Sequence, residues 1–374
     1  MRILVGDILK SKAQTLINTV NCVGVMGKGI ALEFKSRFPD MYDDYVQRCE
    51  RGEVRPGVPY LYKTLFPPQI INFPTKDHWK SISKVGDIER GLNHLVEHYK
   101  EWGVTSLAIP PLGCGNGQLE WRVVGPLIYR YVKDLPIAVE MYAPYGAHPK
   151  ELSEEFLAQA GDQQPESASR NGQSALNPAW VGLVEILARI EQQPYHWPVG
   201  RTLFQKIAYV ATNEGLPTGL QYQRGSFGPF SGELKDLEAK LVNNGLLQEE
   251  RRGKMFMVTV GPNFNRIRQK YITHFGQWDQ IFEKTADLFA RVNTDQAEII
   301  ATVLFATREL VDEEHEVPSE SKVLEAVMHW KQKRRPALDR DTVASTIRNL
   351  ATLRWLAVKA DPNLPVSQEE AILA

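Results

Sequence analysis

Three stretches of the chain hold residues whose types and spacing could do chemistry. The first is Asn18-Thr19-Val20-Asn21-Cys22-Val23-Gly24-Val25-Met26-Gly27-Lys28-Gly29-Ile30-Ala31. It leaves an apolar run, Thr15-Leu16-Ile17, and enters a pattern in which Ile30, Phe34 and Phe38 recur at helical spacing. Three glycines within six residues let the backbone come close to a ligand and expose its N–H groups. The helix start adds unsatisfied donors and the positive end of its dipole; together these make an anion site, most often for phosphate. The order of residues fits neither the dinucleotide fingerprint nor the P-loop lysine motif. The second stretch, Pro110-Pro111-Leu112-Gly113-Cys114-Gly115-Asn116-Gly117-Gln118-Leu119-Glu120-Trp121, also lies between a strand pattern and a helix pattern. One such loop can be a turn and nothing more. Two at the ends of two strands of one sheet could hold the two phosphates of one ligand from opposite sides. The third stretch is Phe73-Pro74-Thr75-Lys76-Asp77-His78-Trp79-Lys80-Ser81. A lysine can act as a nucleophile when desolvation or nearby cations lower its pKa, and it can stabilise charge or move a proton. Lys76, His78 and Lys80 are all eligible, and periodicity does not choose among them. Cys22 and Cys114 lie in the glycine-rich loops without a basic partner to activate a thiol, and read as small fillers.

The elements that must position these stretches alternate. Strands are expected at Arg2–Val5, Thr15–Thr19, Tyr60–Leu65, Gln69–Phe73, Thr105–Ile109 and Ile137–Tyr142. Helices are expected at Gly29–Arg37, Met41–Gly52, Lys84–Trp102 and Trp121–Lys133, the third with Ile88, Leu92, Leu95, Val96 and Tyr99 on one face. Phe66-Pro67-Pro68 reads as the turn of a hairpin. The sum is an α/β domain with a mixed sheet and helices on both faces, in which ligands sit at the carboxyl ends of the strands.

The chain has 374 residues, which suggests two domains, and 43% of them are hydrophobic, enough for two cores. A formal net charge of -1 leaves no global basic excess for gripping DNA. Three cysteines, Cys22, Cys49 and Cys114, give neither metal-ligand spacing nor a disulfide framework, so a reducing cytoplasm is expected. No signal peptide or membrane-spanning run is expected. Residues 156–177 have little to bury and read as a flexible linker between a domain at 1–155 and a mainly helical one at 178–374. In the second domain Ser231 is placed as the N-cap of a helix over Gly232–Asn243, which Asn244-Gly245 stops. Strands Leu246–Glu250 and Met255–Val260 follow it, in the order of a winged helix. Lys331-Gln332-Lys333-Arg334-Arg335 and Asp312-Glu313-Glu314-His315-Glu316 read as solvated charge clusters. Gly225-Ser226-Phe227-Gly228-Pro229-Phe230-Ser231 puts two aromatics on a glycine-rich loop that could touch DNA or a partner, or plug its own core.

Gly6-Asp7-Ile8 after the first strand, Asn21 through Ala31, and Pro111-Leu112-Gly113-Cys114-Gly115 together resemble the macrodomains, which bind ADP-ribose. The subtype is similar to the lysine-dependent terminal ADP-ribose glycohydrolases. The two-domain chain resembles the DarG antitoxins, which remove the ADP-ribose that DarT toxins attach to thymine bases in DNA. The motifs cover roughly the first 150 residues, and over the rest the resemblance is one of domain order. It implies a three-layer α/β/α macrodomain, then a toxin-binding domain with a winged-helix-like segment. It implies that Asp7 accepts from the adenine amino group and that Ile8 donates its backbone N–H. Thr19 belongs to the ADP-ribose set, and Asn21 would meet the distal ribose. Gly24, Val25, Met26, Gly27, Lys28, Gly29, Ile30 and Ala31 would wrap that ribose. Leu112, Gly113, Cys114, Gly115, Asn116 and Gly117 would cradle the diphosphate, and Tyr142 would pack on adenine. Lys80 is the implied catalytic lysine, acting at the anomeric carbon with a thymine ring nitrogen as leaving group. One departure stands out: where the family can carry an Asp in the second loop, this chain has Asn116-Gly117.

The expected function is therefore that of an antitoxin acting on ADP-ribosylated DNA and binding a DarT-type toxin, without a cofactor, metal or membrane. A hydrolase for ADP-ribosylated protein and an ADP-ribose-sensing, DNA-binding regulator are the alternatives.

Overall fold

Strands buried on both faces have no polar side to alternate with, and Thr15–Val20 and Gln69–Pro74 are such runs. In the computed structural model, which describes residues 1–161, 176–253 and 255–365, they are adjacent interior strands of a six-stranded sheet. The first unit, Met1–Ala175, contains in order β1 (Arg2–Val5), β2 (Thr15–Val20), α1 (Gly29–Arg37), α2 (Pro39–Glu50), β3 (Tyr60–Tyr62) and β4 (Gln69–Pro74). Then follow α3 (Val85–His98), β5 (Ser106–Ile109), α4 (Trp121–Val132), β6 (Ala138–Ala143) and α5 (Glu154–Gly161). The strand order is β1-β6-β5-β2-β4-β3, with β3 antiparallel to β4 and the other pairs parallel. The loops after β1, β2, β4, β5 and β6 therefore leave from one edge, and all three chemistry-bearing stretches are among them.

Neighbouring residues along a strand point to opposite faces. Leu16 and Ile70 join Phe34 of α1 and Met41 and Tyr45 of α2 on one side. Ile17 and Ile71 join Ile88, Leu92 and Leu95 of α3 and Val124 and Ile128 of α4 on the other. Those buried α3 side chains contribute about 1.5–3 kcal/mol each, which outweighs the weak intrinsic stability of an isolated helix. Gly91 lets α3 lie close on the sheet, since a Cβ there would stand 2.3 Å from the Phe73 ring. Asn18 and Asn72 pair across β2 and β4, Asn18 Nδ2 donating to Asn72 Oδ1 at 2.9 Å with both residues fully buried. That bond pins the register of the two strands whose loops carry the first and third stretches.

The expected linker begins later than residue 156. Glu154–Gly161 are helical, and Leu157 is wholly buried among Trp121 and Val124, so burial recruits them into the first unit. The rest of the linker expectation, residues 162–175, lies outside the described residues.

The second unit, Leu176–Ala374, is helix-rich. It has α6 (Pro178–Glu191), α7 (Arg201–Asn213), a hairpin of β7 (Gln223–Gly225) and β8 (Gly228–Phe230), and α8 (Glu233–Asn243). The antiparallel pair β9 (Leu247–Arg252) and β10 (Met255–Val260) follows, completing the helix-then-hairpin order of a winged helix. After it come α9 (Phe264–Phe275), α10 (Asp279–Ala290), α11 (Thr294–Glu314), α12 (Glu320–Trp330) and α13 (Arg340–Thr352). Ser231 does not cap α8: Gly232 takes that place, and the Ser231 hydroxyl is buried without a hydrogen-bond partner. Among the described residues no helix is long and apolar enough to cross a membrane.

Candidate functional site

The loop after β2 holds its shape through Asn21. Its Oδ1 accepts from the Val23 and Val25 N–H groups at 3.0 and 3.4 Å, and its Nδ2 donates to the Val25 carbonyl at 2.5 Å. Tyr45 of α2 donates its hydroxyl to the Asn21 carbonyl at 2.9 Å. The side chain expected to meet the distal ribose is thus turned into its own loop, which it shapes. Gly24 has a φ of +75°, a conformation that favours glycine, and Tyr42 donates to its carbonyl at 3.3 Å. Met26 is buried beneath the loop, while Val25, Gly27, Lys28 and Gly29 are exposed along it. Ile30 and Ala31 are half-buried at the start of α1, and Thr19 is half-buried at the end of β2. Lys28 makes no side-chain cap for α1, so the first-turn N–H groups of that helix are offered to a ligand.

The loop after β5 faces it. A side chain on Gly29 would come within 3.3 Å of the Asn116 amide nitrogen, so the two glycine-rich loops approach there. Leu112, Gly113 and Gly117 are buried, Cys114 is half-buried, and Gly115 and Asn116 are exposed. Gly113 and Gly117 serve packing. A Cβ on Gly117 would lie 2.2 Å from Ser83 Oγ and 2.5 Å from the Gly113 carbonyl oxygen, while Ser83 N–H donates to the Gly117 carbonyl at 3.1 Å. Gly117→Ala must therefore push the backbone apart, at about 1–3 kcal/mol. It is expected to weaken ADP-ribose binding by about tenfold or more, as read by calorimetric titration; unchanged affinity would mean that the loop yields without cost.

The stretch after β4 separates the two lysines. Its backbone is tied to the first loop: Thr75 N–H donates to Val20 at 3.0 Å and Cys22 N–H donates to Asp77 at 2.9 Å. Lys76 is only 9% exposed, and its Nζ donates to the Asn116 carbonyl at 2.8 Å. The buried ammonium thus sits against the residue at which the two loops meet. Lys80 is exposed, with its Nζ 4.8 Å from the centroid of the Trp79 ring, and His78 stacks on the other partner of that ring contact, Trp79, at 5.4 Å. Burial and contact with the second loop both belong to Lys76, the rival within this segment, and not to Lys80, on which the catalytic expectation was placed.

The remaining expectations divide. Asp7 stands at the site edge and accepts from Leu9 N–H at 2.9 Å, capping a short turn, while Ile8 is a core residue. Tyr142 is 6% exposed, packs with Ile8 and Leu16, and donates its hydroxyl to Glu140 at 3.2 Å. That leaves it little face for adenine. Tyr145, three residues on in the loop after β6, is 77% exposed. Burial first, with Asp77 adding to it, pushes the Cys22 thiol far up, and burial pushes the Cys114 thiol up to about 12. Neither is a thiolate at neutral pH, in keeping with their reading as fillers.

In the second unit the β7–β8 hairpin does not plug the core. Phe227 and Phe230 are 65% and 43% exposed. The hairpin backbone is held from below by two buried lysines, Lys331 donating to Ser226 at 2.9 Å and Lys206 donating to Pro229 at 2.8 Å. The cluster Lys331–Arg335 is therefore not a wholly solvated one: Lys331 and Arg334 turn inward to Glu298. The cluster Asp312–Glu316 is exposed, as expected.

The Macro domain family model matches residues 17–128. The chain is 33% identical over 313 residues to a DNA ADP-ribosyl glycohydrolase of Thermus aquaticus, covering 82% of each. It is 36% identical over 245 residues to a DNA ADP-ribosyl glycohydrolase of Mycobacterium tuberculosis, covering 62% of this chain and 64% of that one. The match thus spans just under two thirds of the mycobacterial relative's length. A DNA ADP-ribosyl transferase–DNA ADP-ribosyl glycohydrolase fusion protein of Thermosipho africanus is 44% identical over 161 residues, 37% of this chain and 40% of the fusion.

Proposed function

The chain belongs to the DNA ADP-ribosyl glycohydrolase family, and we propose that its first unit hydrolyses the N-glycosidic bond between ADP-ribose and a DNA base, with thymine as the base. The observation that carries this reading is the buried Lys76 ammonium on the Asn116 carbonyl, where the two glycine-rich loops meet. The diphosphate lies between the N-terminus of α1 and the second loop, whose N–H groups bear its charge. The anomeric carbon is then set over Lys76. The lysine gives its proton to the departing ring nitrogen, and its freed amine attacks the anomeric carbon as the C–N bond breaks toward the base. Water displaces the lysine, which recovers a proton and releases ADP-ribose. The second loop has Asn116-Gly117 where the family can carry an Asp; Asp77, beside Lys76 and near enough to raise the Cys22 thiol, is the carboxylate assigned to that water.

The second unit is assigned to a DarT-type toxin. A relative that joins a DNA ADP-ribosyl transferase and a glycohydrolase in one chain supports the pairing. The exposed Phe227 and Phe230 on a braced hairpin support a protein contact. Operator binding is less favoured, since Lys331 and Arg334 of the basic cluster are spent on Glu298.

The test is release of ADP-ribose by the full chain from thymidine-modified single-stranded DNA, beside release from ADP-ribosylated protein. Faster release from DNA upholds the proposal; faster release from protein replaces the substrate. For the second unit, Phe227→Ser with Phe230→Ser is expected to reduce capture of a purified DarT-type toxin by about tenfold or more, with ADP-ribose release from DNA unchanged.

A further inference from the structure

α3 begins beside the loop edge and runs back along the sheet. Its last turn lies near the amino ends of the strands, where Gln14, just before β2, donates to Gly103, just past α3, at 3.4 Å. On that turn His94, Glu97 and His98 share one helix face. One ligand atom from each lies within 4.8 Å of the others. We propose that these three side chains form a zinc site, separate from the glycine-rich loops.

Zinc takes imidazole nitrogens and carboxylate oxygens at about 2.0–2.2 Å, so small side-chain rotations close the set round one ion. His98 keeps one ring nitrogen for an ion. Its Nδ1 lies 2.9 Å from the His94 carbonyl, which can only accept, so Nδ1 carries the proton and Nε2 presents its lone pair. The His94 ring stacks on that of His98 with centroids 4.0 Å apart. Asn93 Nδ2 donates to Glu97 Oε1 at 2.9 Å and steadies the carboxylate. The Trp102 ring lies 5.8 Å from His94 and 5.7 Å from His98, walling one side. Among the described residues these are the one group of three His, Cys, Asp or Glu side chains so placed. Two imidazoles and one carboxylate suit zinc rather than magnesium or calcium, and three protein ligands leave a position for water.

Zinc chloride titrated calorimetrically into the full chain is expected to fill one site. His94→Gln and His98→Gln are each expected to weaken it by about tenfold or more, with ADP-ribose affinity unchanged. Magnesium chloride is expected not to compete. Glu97 is exposed, so Glu97→Gln leaves the fold intact and is expected to weaken zinc by roughly threefold or more. Absence of zinc binding to the native chain, or zinc affinity unchanged from the native chain's in both histidine variants, overturns the site. Equal affinity in Glu97→Gln removes the carboxylate and with it the three-ligand proposal.

Discussion

Lys76→Ala is expected to lose ADP-ribose release from ADP-ribosylated single-stranded DNA by about 10²–10⁴-fold while still binding free ADP-ribose. Ligand binding survives because the phosphate donors belong to the loop backbones and to the start of α1, which Lys76 does not supply. Losing the bond from Nζ to the Asn116 carbonyl costs stability of about 1 kcal/mol, so the melting transition should move little. Lys80→Ala is expected to stay within about threefold of native activity, as for other surface changes that leave the reacting groups in place. Lys76→Arg separates the roles of the lysine. Arginine keeps the positive charge but does not give up its proton at working pH. If Lys76 supplies a proton and then an amine, the arginine variant is as inactive as the alanine variant. Recovery of activity in Lys76→Arg would reduce the lysine to a fixed charge. Loss of activity in Lys80→Ala with retention in Lys76→Ala would return catalysis to the exposed lysine.

The choice between these two lysines shows where the sequence stopped being legible. α1 was readable to its ends, Gly29 and Arg37, because helical spacing and glycine are local signals. The two glycine-rich loops were readable as a pair for the same reason. Residues 75–84 have no period, and their path is set by bonds such as Cys22 N–H to Asp77, between residues distant in sequence. Such bonds decide that Lys76 turns inward, and nothing local announces them. Asn21 was legible as a loop residue, but its hydrogen bonds go to Val23 and Val25, as turn chemistry favours for asparagine. α9 carries Phe264, Ile267, Tyr271 and Phe275 at helical spacing, a local stripe that periodicity alone could have found. The basic cluster at 331–335 reads as solvated for want of a visible partner. Glu298, which draws Lys331 and Arg334 inward, belongs to another helix.

That buried carboxylate leads to the largest expected loss of stability. Glu298 and Lys331 have side chains 3% and 2% exposed, 2.8 Å apart, and Arg334 Nε adds a second bond at 3.2 Å. Lys206, pinned to the Pro229 carbonyl, is pushed down to about 8, by burial first and by Lys331 second, with Glu298 opposing. Glu298→Gln removes the buried charge that Lys331 and Arg334 share, and breaking a buried pair in this way costs about 3–5 kcal/mol. The melting transition of the full chain should then show a component lowered by roughly 10 °C. The loss has a pH signature. A lysine whose folded pKa lies below its unfolded value is destabilising while it must stay charged, so stability rises with pH once the folded form can shed the proton. Without Glu298 the Lys206 value falls further. The Lys206 part of the gap between variant and native chain is therefore full only below the variant's lowered value and closes as pH rises to about 8. A gap constant from pH 7 to 9 would mean that Lys206 does not feel Glu298. Because Lys206 and Lys331 hold Pro229 and Ser226, the same variant should loosen the hairpin that presents Phe227 and Phe230. Toxin capture should fall with it while ADP-ribose release by the first unit persists, since the lysine and loops proposed for that reaction belong to the other unit.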